Sequence, residues 1–101
     1  MIKGNVHFIG TLPDGSNPIT LMEVPVNSRV GQTVYVKDYI TPEVLGDNII
    51  SEDGKSILHK EDGKFVKYLF NNPPLKNIND VTATFSDESS EDEVYFTKVS
   101  D

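Results

Sequence analysis

Apolar residues recur along this chain with a period of two over most of its length, the spacing of strands that bury one face. Val6 and Phe8 fall on one side of a first strand with His7 and Ile9 on the other, and Leu12-Pro13-Asp14-Gly15-Ser16 reads as the turn that ends it. Residues 19–26 form the returning strand of a hairpin, with Met22, Val24 and Val26 alternating against Leu21, Glu23 and Pro25. Pro25 has no N–H to give a ladder, which places it at a sheet edge or a strand end.

Val30-Gly31-Gln32-Thr33-Val34-Tyr35-Val36 turns at its glycine and continues into a strand of β-branched and aromatic residues. A short helical signal follows: Thr41 as N-cap, Pro42 at the first helical position and Gly46 as terminator. Two near-copies come next, Ser51-Glu52-Asp53-Gly54-Lys55 and Lys60-Glu61-Asp62-Gly63-Lys64, each setting Asp-Gly where a tight turn needs positive φ. Residues 56–59 and 65–70 are then short strands, the second stopped by Asn71-Asn72-Pro73-Pro74. In residues 80–85 Val81, Ala83 and Phe85 share a face, and residues 93–99 bring Val94 and Phe96 back to meet it. Residues 86–92 read as the solvated acidic turn between them.

A chain of 101 residues fits one domain, 1–101, with one modest core. Its 37% hydrophobic content and regular patterning are those of a chain that folds. Sixteen acidic against nine basic residues give a formal charge of -7, so a phosphate backbone or an anionic lipid surface is repelled and nucleic acid is excluded as a partner. Residues 1–50 hold five acids and three bases while residues 51–101 hold eleven and six, so the acidity leans toward the C-terminal half. The lack of cysteine removes disulfides, thiolate catalysis and sulfur-based zinc sites. No stretch approaches the roughly 20 apolar residues of a membrane span, so no membrane insertion by this segment is expected. The start Met1-Ile2-Lys3-Gly4 is not that of a signal peptide, which leaves a cytosolic protein or a piece of a longer exported one.

No phosphate loop, paired-histidine helix motif or nucleophile elbow occurs, so no enzyme, no catalytic residue, no metal and no cofactor is expected. His7 and His59 are the only imidazoles, each inside a strand candidate with neither an evident serine partner nor a second nitrogen ligand nearby in sequence. The run Asp87-Glu88-Ser89-Ser90-Glu91-Asp92-Glu93 could gather a calcium ion through its carboxylates, but it has neither the alternating ligands nor the central glycine of an EF-hand, and a run of charges is usually just a solvated turn. Tyr35, Tyr39, Tyr68, Tyr95 and the phenylalanines could line a glycan-binding face or belong to the core and its margins. Lys67 could form an intramolecular amide with an Asn or Asp if it were buried.

The order of these signals resembles the mucin-binding protein repeat, the MucBP family. The resemblance lies in a strand and turn over Val6 to Gly15, an apolar strand, the Val30-Gly31-Gln32-Thr33 step, the segment Tyr39 to Pro42, and Thr84-Phe85-Ser86-Asp87 returning as Val94-Tyr95-Phe96. It implies an α+β fold, mostly β: a β-grasp-like mixed sheet with one short helical element near residues 41–46. Residues 47–79 are longer than a minimal repeat. Either residues 65–70 close the domain and residues 73–101 are an appended β-hairpin, or residues 94–99 close it and the Asp-Gly hairpins are an insertion.

The family occurs in tandem on cell-wall-anchored adhesins of Gram-positive bacteria, and has no contact residues to carry over, so the ligand-binding residues are unknown. What it implies here is an extracellular adhesion module, attached to the cell wall through a longer exported protein. Its partners would be host mucin or another glycoprotein, bound weakly per repeat, and the neighbouring repeats of the parent chain. Two other readings stay open: a spacer in a surface stalk, and a stand-alone small acidic protein that binds another protein through a sheet edge or its acidic face.

Overall fold

The computed structural model describes residues 2–71, 77–87 and 89–99. Eight strands are present among them: β1 Ile2–Thr11, β2 Ile19–Ser28, β3 Thr33–Tyr35, β4 Ile49–Ile50, β5 Ser56–Glu61, β6 Lys64–Phe70, β7 Thr82–Thr84 and β8 Ser89–Lys98. One α-helical turn, α1 Pro42–Leu45, and two 3-10 turns, Val36–Tyr39 and Ile78–Asp80, complete the described elements. The fold is α+β, mostly β, built on a mixed, curled sheet with a small helical element.

Six strands form that sheet in the order β2-β1-β8-β6-β5-β4, and β3 and β7 form a second, two-stranded one. β1 and β8 run parallel at the centre, while the remaining pairs are antiparallel. Local chemistry accounts for several of these elements. Asp62 and Gly63 both have positive φ (49° and 78°) between the paired Glu61 and Lys64, the two-residue turn whose twist matches a hairpin. At α1, the Thr41 hydroxyl accepts a hydrogen bond from Val44 N–H at 3.3 Å, Pro42 occupies the first turn, and Gly46 ends the helix at φ 57°. Pro25 sits in β2, an edge strand, where its missing N–H interrupts nothing.

Three expectations are corrected. Leu21 does not point outward: Phe8 faces Met22 and Ile9 faces Thr20, so Leu21 is the extra residue of a β-bulge, and Leu21 and Met22 are both buried. β7 does not meet β8 but pairs with β3, Val34 facing Ala83. The acidic run is not simply a turn, because residues 89–93 lie inside β8 and pair with β1, while β6 pairs with β8 further on, at residues 96–98. With β8 against β1, the β5–β6 hairpin is an integral part of the sheet. Of the Asn71-to-Pro74 stop signal, β6 does end at Phe70, and residues 72–74 lie outside the described residues.

The core lies on the sheet's inner face, where Val6, Phe8, Val24, Val26, Ile57 and Phe96 are fully buried against Val36, Ile78 and Phe85 from the covering segments. Phe96 packs between Phe8 and Phe70, with ring centroids 5.5 and 5.2 Å apart. Two glycines of β1 admit aromatic rings on this face. A Cβ on Gly4 would stand 2.5 Å from Phe85 Cε1, and one on Gly10 would stand 2.6 Å from Tyr68 Cε1.

Asn48 ties the covering segment to both sides of the curled sheet. Its Nδ2 donates to the Leu45 carbonyl at 2.9 Å, at the end of α1, and to the Leu21 carbonyl of edge strand β2 at 3.0 Å. Its Oδ1 stands 2.7 Å from His59 Nδ1, which must be the donor because an amide oxygen only accepts. Asn48→Ala is expected to lower stability by about 1–3 kcal/mol, since three partners lose a bond together. Urea unfolding would check this, and a loss below about 0.5 kcal/mol would show that water replaces the amide without cost.

Candidate functional site

The candidate residues named from sequence meet in pairs and not at one site: His7 with Glu91, His59 with Tyr68, and Tyr95 with Glu93. His7 lies on the outer face of the sheet, its Nδ1 3.3 Å from Glu23 Oε1 and its Nε2 3.7 Å from Glu91 Oε2. Those carboxylates are 60% and 68% exposed, so His7 sits in a solvated carboxylate row and not against a buried acid in a cleft. His7 Nε2 is itself buried and makes no hydrogen bond. His59, on the inner face, is bonded to the Asn48 amide and lies edge-on to Tyr68 at 6.3 Å.

Glu91 and Glu93 follow one face of β8 and Asp92 the other, as strand alternation requires, while Asp87 accepts a hydrogen bond from the Ser90 hydroxyl at 3.2 Å. Glu88 lies outside the described residues. Among the described residues, no three acidic or histidine side chains converge on a point where a metal ion could be held. Asp53, in the first Asp-Gly turn, accepts hydrogen bonds from the Ser51 hydroxyl and Lys55 N–H at 2.6 and 3.0 Å, and these hold its carboxyl below the ordinary value. That turn therefore uses its acid internally. Lys67 is exposed on the outer face, so the burial that an intramolecular amide demands is not met there.

The four tyrosines have four different fates. Tyr68 is buried, and its hydroxyl donates to Glu61 Oε1 at 2.6 Å, with Lys98 3.9 Å from the other carboxylate oxygen. Burial, and then the Glu61 bond, raise its phenol above the ordinary 10.0. Because the folded value is the higher one, this contribution to stability is complete below pH 10 and is lost as pH rises past it, when the unfolded chain ionises first. Alkaline titration followed at the phenolate absorbance is therefore expected to show one phenol that ionises only with unfolding. Tyr68→Phe should abolish that late step, and a late step that survives would assign it elsewhere.

Tyr39 is half-buried and donates to the Asn27 carbonyl at 3.2 Å, which caps part of the β2 edge. Tyr35 is exposed under the Lys37 ammonium, 5.5 Å from its ring centroid. Tyr95 is 41% exposed and donates a hydrogen bond to Glu93 Oε2, a contact that raises its phenol.

Tyr95 borders a groove, an open depression of about 380 Å³ where β8 meets the β1–β2 hairpin. The lining is Ile9, Thr11, Gly15, Pro18, Ile19, Thr20, Glu93 and Tyr95. Pairing builds it: Tyr95 faces Ile9 across the parallel β1–β8 ladder, and Ile9 faces Thr20 across the bulged β1–β2 ladder. The result is an exposed ring beside an apolar floor, with a carboxylate and a threonine hydroxyl at its margins. Ile9 and Thr20 were not candidates from sequence, because only the parallel pairing of the first and last strands brings them beside Tyr95.

The same outer face carries a wider apolar band. Ile49 faces Leu58, and Leu69 lies between Ser56 and Thr97 in the next row, with Phe65 at the far end of β6. Ile49, Phe65 and Leu69 are all exposed by more than two-fifths. The signal for this was present in the sequence: in residues 65–70 both alternating sets contain large apolar residues, so one set had to face outward. No helix among the described residues is long and apolar enough to cross a membrane. No protein-family model, no curated protein and no solved structure matches this chain.

Proposed function

We propose that this chain is an adhesion module of a Gram-positive cell-wall-anchored surface protein, exposed outside the cell and binding mucin glycans or glycoproteins weakly through each repeat. The observation that carries this reading is the Tyr95 groove, where an exposed ring, an apolar floor and flanking hydroxyl and carboxylate groups provide both surfaces of a sugar: C–H bonds against the ring and O–H groups toward the acceptors. A shallow groove of this size suits weak binding that repetition strengthens.

The test is binding of the single chain and of a tandem two-module protein to immobilised mucin and to deglycosylated mucin at physiological salt. Signal is expected only with the glycans, rising roughly a hundredfold or more in the tandem protein. Tyr95→Ala is expected to weaken it about tenfold, the equivalent of some 1.4 kcal/mol per site. Equal binding to both mucins would remove the reading.

The outer-face apolar band favours a second reading, in which the module is a stalk spacer and Ile49, Leu58 and Leu69 pack on the adjoining module. In that case the tandem protein would bind no mucin, and Leu69→Lys would loosen its two modules measurably in small-angle scattering.

A further inference from the structure

We infer that the Tyr95 groove accepts uncharged sugar residues and rejects sialylated or sulfated glycan ends; this rests on the glycan-binding reading above. Three observations support it. Glu93 is the one ionisable acid or base lining the groove apart from the Tyr95 phenol, and no lysine, arginine or histidine lines it. A bound carboxylate or sulfate is held best by such a cation, and none of the lining side chains supplies one.

At its Tyr95–Glu93 end the hydrogen-bonding edge only accepts, while the Thr20 hydroxyl across the groove can donate as well as accept. Tyr95 spends its O–H on Glu93 Oε2, so the phenol oxygen and the free lone pairs of the carboxylate are acceptors. Acceptors pair with sugar hydroxyls, which have protons to give, and not with a carboxylate or sulfate, which has none. Finally, the neighbouring row repeats the sign. Glu23, His7 and Glu93 are aligned across β2, β1 and β8, Glu91 lies one row further on, and both nitrogens of His7 already face Glu23 and Glu91. The chain as a whole carries a formal -7, which adds a repulsive field.

The deciding experiment follows backbone amide shifts of the isotopically labelled chain during titration with N-acetyllactosamine, its sialylated derivative and its 6-sulfated derivative, at low salt and at 0.5 M salt. The neutral sugar is expected to move the amides of Ile9, Thr20, Glu93 and Tyr95, with both anionic derivatives at least tenfold weaker. Glu93→Gln should narrow that gap severalfold without disturbing the fold, because the side chain is exposed, and high salt should narrow it as well. If either anionic derivative binds as well as the neutral sugar, the selectivity is overturned while the groove remains a glycan site. If none of the three moves these amides, the glycan-binding reading itself falls.

Discussion

Phe85→Ala is expected to lower the stability of this chain by about 3–5 kcal/mol, the range for emptying a buried aromatic site. Phe85 is fully buried although it stands just past the three-residue strand β7 and outside the large sheet. Its ring covers the inner face of β1 at Gly4, and its carbonyl accepts a hydrogen bond from Gly31 N–H at 2.9 Å, so it links the covering segments to the central ladder. At roughly 4–8 °C per kcal/mol for a domain of this size, the melting temperature should fall by some 12 °C or more. Calorimetry and urea unfolding would both report it. A loss under about 1 kcal/mol would mean that the ring is replaced by local collapse, and that the cover over β1 is looser than its burial indicates.

The second large effect is expected at the other side of the same contact. Gly4→Ala places a methyl group 2.5 Å from Phe85 Cε1 and also against the Ser90 carbonyl oxygen of β8, so either the ring or the parallel ladder must move. Overpacking of this kind costs about 1–3 kcal/mol. The neighbouring Lys3→Ala, on the exposed side of β1, is expected to change stability by no more than about 0.5 kcal/mol. In the double variant Gly4→Ala with Phe85→Ala, the methyl enters the space left by the ring, and the two losses should sum to about 1 kcal/mol less than their separate values. Strict additivity would locate the strain at the Ser90 carbonyl and not at the ring.

These expectations rest on a contact that alternation could not have revealed. Glycine in a strand weakens it and leaves a space, but which ring fills the space depends on a segment some eighty residues away in the chain. Gly10 is the same case, with Tyr68 and Leu21 as the neighbours of its absent side chain. The β2 bulge is another. A period of two assigned Leu21 outward, and one inserted residue reversed it.

Residues close in sequence did what their chemistry required. Thr41, Pro42 and Gly46 make the helical turn, Asp62-Gly63 makes the hairpin, and Val6, Phe8, Val24, Val26, Val81, Ala83, Phe85, Val94 and Phe96 are buried as their alternation demands. A sterically restricted turn or a one-sided strand is specified within a few residues, so it can be read without knowing the rest of the chain. Strand partners are not specified that way, because a half-apolar strand can pair with any other of the same pattern and loop closure over longer distances adds little cost. The choice of β1 for β8 and of β3 for β7 is therefore settled by the whole core filling together. That choice placed Glu91, Asp92 and Glu93 in a strand paired with β1 and set His7 between Glu23 and Glu91. It also brought Tyr95, Ile9 and Thr20 from three separate strands to the rim of one groove.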